Sequence, residues 1–329
     1  MTTVVSKVVS RSFSLLAATC LLIPGLSLAD EARQWLERMT QAVELLNYEG
    51  KFVHMHDGDD EVLYIIHRNK DGAVSERIQS MDGAGREIVR HQNKVQCILP
   101  DQRTVIIGQT KDINPLVSSL PSYSEELEAH YEIAVRGRIR VAGRMSRQIL
   151  IKPRDGFRYG YRLWLDEETA MPLKSELRDE RERVVERVKF VDIQMRDNIP
   201  LAAFEPITDT TGFRWFRPAP EQASNRVASG FRATDVPAGF RLSLSTVRQM
   251  AGSRHPVEHL VYSDGIAAVS VFVEDPEAEE TEALFGLSRV GSANAFSIKV
   301  NDRSVTAVGE VPPKTVESIA RSLAPVTEQ

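Results

Sequence analysis

Gly50 to Ser80 reads GKFVHMHDGDDEVLYIIHRNKDGAVSERIQS, three short runs rich in Val, Ile, Phe and Tyr cut apart by Asp57-Gly58 and Asp71-Gly72. Asp-Gly pairs favour the positive φ angles of tight hairpin turns, so the stretch predicts antiparallel strands in direct succession. The pairs at 82/83 and 155/156 extend the pattern. Working outward, strands are expected at 50–55, 62–68, 74–80, 87–90, 94–99, 103–107, 131–136, 146–152, 159–166, 173–178 and 183–194. Together they make one large curved sheet.

Upstream, residues 30–47 place Trp35, Leu36, Met39, Val43 and Leu46 at helical spacing without Gly or Pro, which predicts an amphipathic helix. Residues 1–29 read as an export signal: Lys7 and Arg11, then an apolar run from Phe13 to Ile23, then Ser27-Leu28-Ala29 as a cleavage site. That run is shorter than the ~20 residues a membrane helix needs. Cys20 is a weak lipidation site, because Ala17-Ala18-Thr19 precedes it and apolar residues follow. Cleavage near Ala29 takes the formal charge from −5 to −7 and leaves Cys97 as the only thiol. The acidic balance argues against nucleic-acid binding, and a lone thiol excludes an internal disulfide. Packing must hold such a chain together.

Residues 112–130 break the strand pattern with Leu116, Val117, Leu120 and Tyr123, an apolar set able to cover the concave side as a plug or a lid. Residues 206–225 read as a junction, yet Phe213, Trp215 and Phe216 lie there between Arg214 and Arg217. Aromatics and Arg in that setting favour a domain interface or a partner groove. Residues 226–329 then predict a smaller α+β domain, with strands at 240–247, 257–263, 267–274, 294–300 and 304–308 and a helix from Pro313.

No phosphate loop, dinucleotide fingerprint, nucleophile elbow or zinc-protease motif occurs, and no metal or cofactor is expected. Gly286 to Gly291, which holds Ser288, reads as a turn. His54 and His56 share a strand face, but two ligands do not make a metal site, and with His67 and His91 they read as solvent-facing imidazoles. The acidic run at 57–61 lacks calcium-loop spacing. Cys97 reads as a buried inert thiol. Arg136, Arg138 and Arg140 alternate on a predicted strand and would form a cationic face for anionic head groups or an acidic peptide.

Five stretches carry a resemblance: NYEGKFV at 47–53 followed by MDG at 81–83 and VQCILPD at 95–101, then RVGSANAF at 289–296, and VTAVGEVP at 305–312. In this order the chain resembles the RseB/MucB family of periplasmic regulators of the sigma-E (AlgU-type) envelope-stress response. The resemblance implies an α+β protein whose N-terminal domain, residues 30–205, is a half-open antiparallel β-barrel of the LolA/LolB lipoprotein-carrier kind with covering helices. It implies binding to the periplasmic domain of a single-span anti-sigma factor of the RseA or MucA type, protection of that partner from site-1 proteolysis, and release promoted by lipopolysaccharide or an acylated ligand. Local sequence, rather than the resemblance, selects Leu116, Val117, Leu120 and Tyr123 for lipid contact. It selects Trp215, Phe216 and Arg217 for the domain interface or peptide groove. Open sheet edges leave room for a homo-oligomer. The competing readings are a lipid or lipoprotein carrier, which has no use for the extra C-terminal domain, and an exported hydrolase using Cys97 or Ser288.

Overall fold

The computed structural model describes residues 28–56, 58–83, 85–91, 94–109, 120–121, 123–124, 126–217, 229–249, 255–275 and 285–326. Helix α1 (Leu28–Leu45) carries the expected stripe, with Leu36, Met39 and Val43 buried. The chain then runs through β1 (Tyr48–His56), β2 (Asp59–Lys70), β3 (Ala73–Ser80), β4 (Glu87–His91), β5 (Lys94–Leu99) and β6 (Thr104–Gln109). After the short α2 (Leu127–His130) come β7 (Tyr131–Val141), β8 (Arg144–Pro153), β9 (Gly160–Asp166), β10 (Pro172–Arg178) and β11 (Val184–Met195). All pair antiparallel in the order β6-β5-β4-β3-β2-β1-β11-β10-β9-β8-β7. Among the described residues the two ends of the sheet do not pair with each other, so it is a half-open barrel.

Local chemistry sets the register. Asp71 and Gly72 hold φ of 54° and 82° between the paired Lys70 and Ala73, the two positive angles of a type I′ turn. At the crossing of β1 and β11 the backbones approach so closely that a Cβ on Gly50 would stand 2.5 Å from the Asp192 carbonyl oxygen. Only glycine fits there. Asp155-Gly156 makes no two-residue hairpin. Asp155 Oδ1 instead accepts the Phe157 N–H at 2.9 Å in the loop between β8 and β9.

Tyr48, Phe52, Leu63, Ile65, Ile78 and Phe190 belong to one buried cluster inside the barrel. Because α1 touches both β2 and β7, strands from distant parts of the sheet, it lies across the concave side. Its Leu36 and Met39 pack with Leu127, Tyr131, Ile149 and Leu163.

Past β11 the chain is not a free linker. Phe204 and Ile199 pack on Ile66 from the outer face. The carboxylate of Glu87 accepts the N–H groups of Ile207 and Thr208 at 2.9 and 3.0 Å. Regular structure also occurs where the sequence showed no period: β12 (Arg214–Phe216) adds to the barrel edge, parallel to β6.

The second body is a six-stranded antiparallel sheet of β14 (Arg241–Gln249), β15 (Pro256–Ser263), β16 (Ala268–Glu274), β17 (Gly286–Val290), β18 (Ala293–Val300) and β19 (Arg303–Gly309), ordered β14-β15-β16-β19-β18-β17. A separate pair, β13 (Phe231–Ala233) with β20 (Leu323–Pro325), flanks α3 (Pro313–Arg321). Val316, Ile319 and Ala320 of α3 join the core of this body. The expected turn over Gly286 to Gly291 is corrected: 286–290 form an edge strand paired to β18, and the reversal falls on Gly291-Ser292, with Gly291 at φ 62°.

Phe52 is fully buried, with its ring 5.5 Å from that of Phe190. Phe52→Ala should therefore cost ~3–5 kcal/mol. Urea unfolding monitored by circular dichroism checks this, and a loss below ~1 kcal/mol would mean the barrel collapses around the cavity.

Candidate binding site

Three regions carry binding potential: the covered concave side, the cationic and aromatic barrel edges, and the seam between the two bodies. On the concave side Leu120 packs against both barrel clusters, bridging the sheet to the layer under α1. Tyr123 packs against the second cluster, donates from its hydroxyl to Glu128 Oε1 at 3.1 Å and lies under the Arg33 guanidinium. Leu116 and Val117 lie outside the described residues. Leu120 and Tyr123 are thus half-buried parts of the cover that α1 begins.

The barrel edges differ in chemistry. On β7 the register shifts between Val135 and Arg138, so a bulge takes Arg136 out of step with Arg138 and Arg140. All three side chains are exposed. Arg138 is paired with Glu167, whereas Arg140 donates to the Gly143 carbonyl at 2.7 Å. On the other edge, Trp215 and Phe216 of β12 are 47% and 51% exposed, and Arg217 is exposed beside them. Phe216 stands opposite the partly exposed Ile106, and the Arg214 guanidinium lies 5.9 Å from the Phe216 ring. This aromatic and cationic strip is held by the Arg214 N–H on the Arg103 carbonyl at 2.8 Å. It belongs to the barrel edge, not to the seam described next.

The seam was not legible in the sequence. Arg158, on the β8–β9 loop, is withdrawn fully from solvent, and its guanidinium meets Asp264 of the second body at 2.9 Å and Asp155 of its own loop at 3.2 Å. It also donates to the Ala238 carbonyl and lies against the rings of Tyr131 and Phe240. Tyr131 donates to the same Asp264 carboxylate at 2.9 Å, and burial together with that charge pushes its phenol far above the ordinary range. Asn294 donates to the Tyr159 hydroxyl at 3.1 Å, and Thr315 donates to the Phe157 carbonyl at 2.7 Å. Ile266 adds an apolar contact to the Tyr131 cluster. Asp264-Gly265 reads in sequence as one more hairpin turn, and nothing marks its carboxylate as the partner of an arginine about a hundred residues earlier.

Two of the four histidines need correction. His54 is drawn in against Glu186 at 2.7 Å, and His67 is buried against Glu76 at 3.0 Å, because each strand neighbour supplies a carboxylate on the same face. His56 and His91 remain exposed, as expected; the His91 ring lies 3.1 Å from the Ser75 hydroxyl. Burial raises the Cys97 thiol pKa, which disfavours the reactive thiolate. Among the described residues, no group of three or more His, Cys, Asp or Glu side chains is placed to hold a metal ion.

A half-open barrel with a covered concavity, joined through a polar seam to a small α+β body, defines a binding protein of two coupled parts. The MucB/RseB N-terminal domain model matches residues 31–208 and the MucB/RseB C-terminal domain model matches residues 225–324. The chain belongs to the MucB/RseB family. It is 33% identical over 326 residues to the sigma factor AlgU regulatory protein MucB of Pseudomonas aeruginosa, covering 96% of this chain and 98% of that protein. Its identity to the sigma-E factor regulatory protein RseB of Escherichia coli is 25%, covering 95% and 96%. Among solved structures, MucB in complex with MucA(peri) superposes with a TM-score of 0.70 at 30% identity, covering 90% of this chain and all of that one. MucB alone gives 0.61 at 29% identity, covering 90% and 98%.

Removing one partner of the Arg158–Asp264 pair strands a buried charge, so Arg158→Met should cost ~3–5 kcal/mol, whereas Arg158→Met with Asp264→Leu should recover much of that. Thermal unfolding of the two variants checks the difference. Equal losses would assign the effect to packing rather than charge.

Proposed function

We propose that this chain is an exported regulator that binds the periplasmic domain of a single-span anti-sigma factor of the RseA or MucA type and shields it from site-1 proteolysis. In this reading it restrains a sigma-E type stress response, lipopolysaccharide or another acylated ligand promotes release, and no catalysis is involved. Residues 1–29 are removed near Ala29, and the mature chain works in the periplasm. Residues 30–205 form the ligand-binding barrel, 206–225 the junction and 226–329 the smaller domain. The observation that carries the reading is the likeness, over nine tenths of the chain, to MucB in complex with MucA(peri).

The physical requirement is two ligands of opposed effect. If lipid weakens anti-sigma binding by some factor, anti-sigma binding weakens lipid binding equally, and a coupling of ~1–3 kcal/mol changes affinity ~5- to 150-fold. Leu116, Val117, Leu120 and Tyr123 are our assignment for acyl contact; the last two already join the concave cover. Trp215, Phe216 and Arg217, with the exposed Arg136, Arg138 and Arg140, are our assignment for the partner. Aromatic and Arg side chains dominate binding energy at interfaces.

Calorimetric titration of the mature chain with an anti-sigma periplasmic domain, repeated with lipopolysaccharide present, tests the proposal. Binding that the lipid weakens ~5- to 150-fold supports it; acyl uptake without anti-sigma binding replaces it with the carrier reading. Because Trp215 is half exposed on an edge, Trp215→Ala should weaken the anti-sigma complex ~10-fold or more while leaving the melting temperature within a few degrees. Unchanged affinity would remove β12 from the binding surface.

A further inference from the structure

Strands β1, β11 and β10 lie side by side in the middle of the barrel sheet. Phe52, Val188 and Phe190 turn into the core, so the residues alternating with them turn outward. Those outward positions mix cations with apolar side chains: Lys51, Val53 and Met55 on β1, then Arg187, Lys189 and Val191 on β11. The ladder sets Met55 opposite Arg187 and Val53 opposite Lys189. On β10, Glu176 stands opposite Arg187 and Lys174 opposite Lys189. Lys51 and Lys189 are exposed, and Val191 is 59% exposed beside them.

Glu176 organises this face. Its carboxylate is 1% exposed and receives Lys174 Nζ at 2.7 Å, Arg187 Nε at 2.9 Å and Arg178 Nε at 2.9 Å. Burial acts to raise its pKa, but Lys174, Arg178 and Arg187 prevail and hold it below the ordinary range. One buried carboxylate thus fixes three cationic heads and leaves positive charge in excess. Among the described residues Lys51 and Lys189 have no carboxylate within ion-pair distance. Like charges directly opposite on a ladder repel, so Lys174 facing Lys189 is a cost that an anion laid over them would remove. The nearby carboxylates are marginal or engaged. Asp192, opposite Lys51, and Asp60, opposite Met55, are exposed, whereas Glu182 is taken by Arg162 at 2.6 Å and Glu49 by Arg196 at 2.7 Å.

We propose that this three-strand face rests on the surface of an anionic phospholipid bilayer, with Lys51, Lys174, Arg187 and Lys189 over the phosphates and Val53 and Val191 at head-group depth. The alternation suits such a boundary, because Lys and Arg keep their heads with the phosphates while their stems and the neighbouring apolar side chains leave water. Three strands at ~4.8 Å spacing form a strip narrow enough for a curved sheet to meet a flat surface. An extended acidic peptide fits less well: mid-sheet strands have both edges paired, which leaves no backbone for strand addition. None of the outward residues on these strands that carry the charge is aromatic, so a single-stranded nucleic acid finds no stacking platform. The face is the back of the sheet from the α1 cover. It is therefore separate from the acyl assignment and stands whether or not the chain binds an anti-sigma factor.

Sedimentation of the full mature chain with vesicles of mixed phosphatidylglycerol and phosphatidylcholine tests the contact. At ~0.1 M salt, screening over ~10 Å hides the overall negative charge of the chain and leaves the local face to act. The wild type should sediment with the mixed vesicles, stay in solution with phosphatidylcholine alone, and be released at ~1 M salt. Each Lys near an anionic bilayer adds ~5-fold to binding, so Lys51→Gln with Lys189→Gln should weaken it ~25-fold. Lys70→Gln with Lys94→Gln makes the same change of charge at exposed hairpin positions elsewhere and should bind like the wild type. Circular dichroism should show both double variants melting with the wild type. No sedimentation of the wild type with the mixed vesicles overturns the proposal, as does equal loss in the two double variants. Equal sedimentation with phosphatidylcholine alone would overturn it in favour of acyl uptake, and binding of polyglutamate without vesicle binding in favour of an acidic peptide.

Discussion

A guanidinium withdrawn completely from water cannot stand alone, and Arg158 obtains its main counter-charge from the other body. That one constraint fixes the relation of the barrel to the C-terminal sheet. Once Asp264 is seated on Arg158 and Tyr131, the β15–β16 hairpin has a single position. The other seam contacts, Asn294 on Tyr159 and Thr315 on the Phe157 carbonyl, come from different elements of the same C-terminal body. They are consequences of the docking as much as causes of it. The desolvation cost of such a pair means that it contributes orientation more than net stability.

The barrel imposes a second constraint. Twelve strands in one sheet without closure leave an apolar concavity that water would otherwise wet. Helix α1 covers part of it with Leu36 and Met39, and Leu120 reaches from the 112–130 segment to the clusters on either side. A cover made partly from one side chain between two cores is easier to displace than a helix, because it forfeits fewer contacts. That is the physical basis for placing acyl contact there.

Much of the architecture was legible from local chemistry. Asp71-Gly72 announced its turn, the 30–47 stripe announced α1, and Pro312-Pro313 announced α3. What escaped was whatever depends on a distant partner. β17 has five residues, most of them exposed, so no alternation of burial marked it, and β12 is a strand only because β6 offers it an edge. Likewise nothing in the sequence draws His54 and His67 in from solvent, because the carboxylates that hold them, Glu186 and Glu76, come from neighbouring strands whose register the sequence does not state. Arg158 and Asp264 each resemble ordinary loop residues until the fold brings them together.

The seam is made chiefly of hydrogen bonds and ion pairs, with Ile266 as its apolar contribution to the Tyr131 cluster. A large hydrophobic interface would weld the two bodies, since separation would expose apolar area at about 25 cal/mol per Å². Polar groups that part can instead be taken up by water, so the penalty for separation is smaller and relative motion is the expected behaviour. On the proposed function, in which two ligands act in opposition, such a boundary meets the requirement: firm enough to define one bound geometry, and close enough in free energy to an open form for a ligand worth ~1–3 kcal/mol to shift it. On that reading a ligand acts on the relation of the two bodies rather than by deforming either close-packed core.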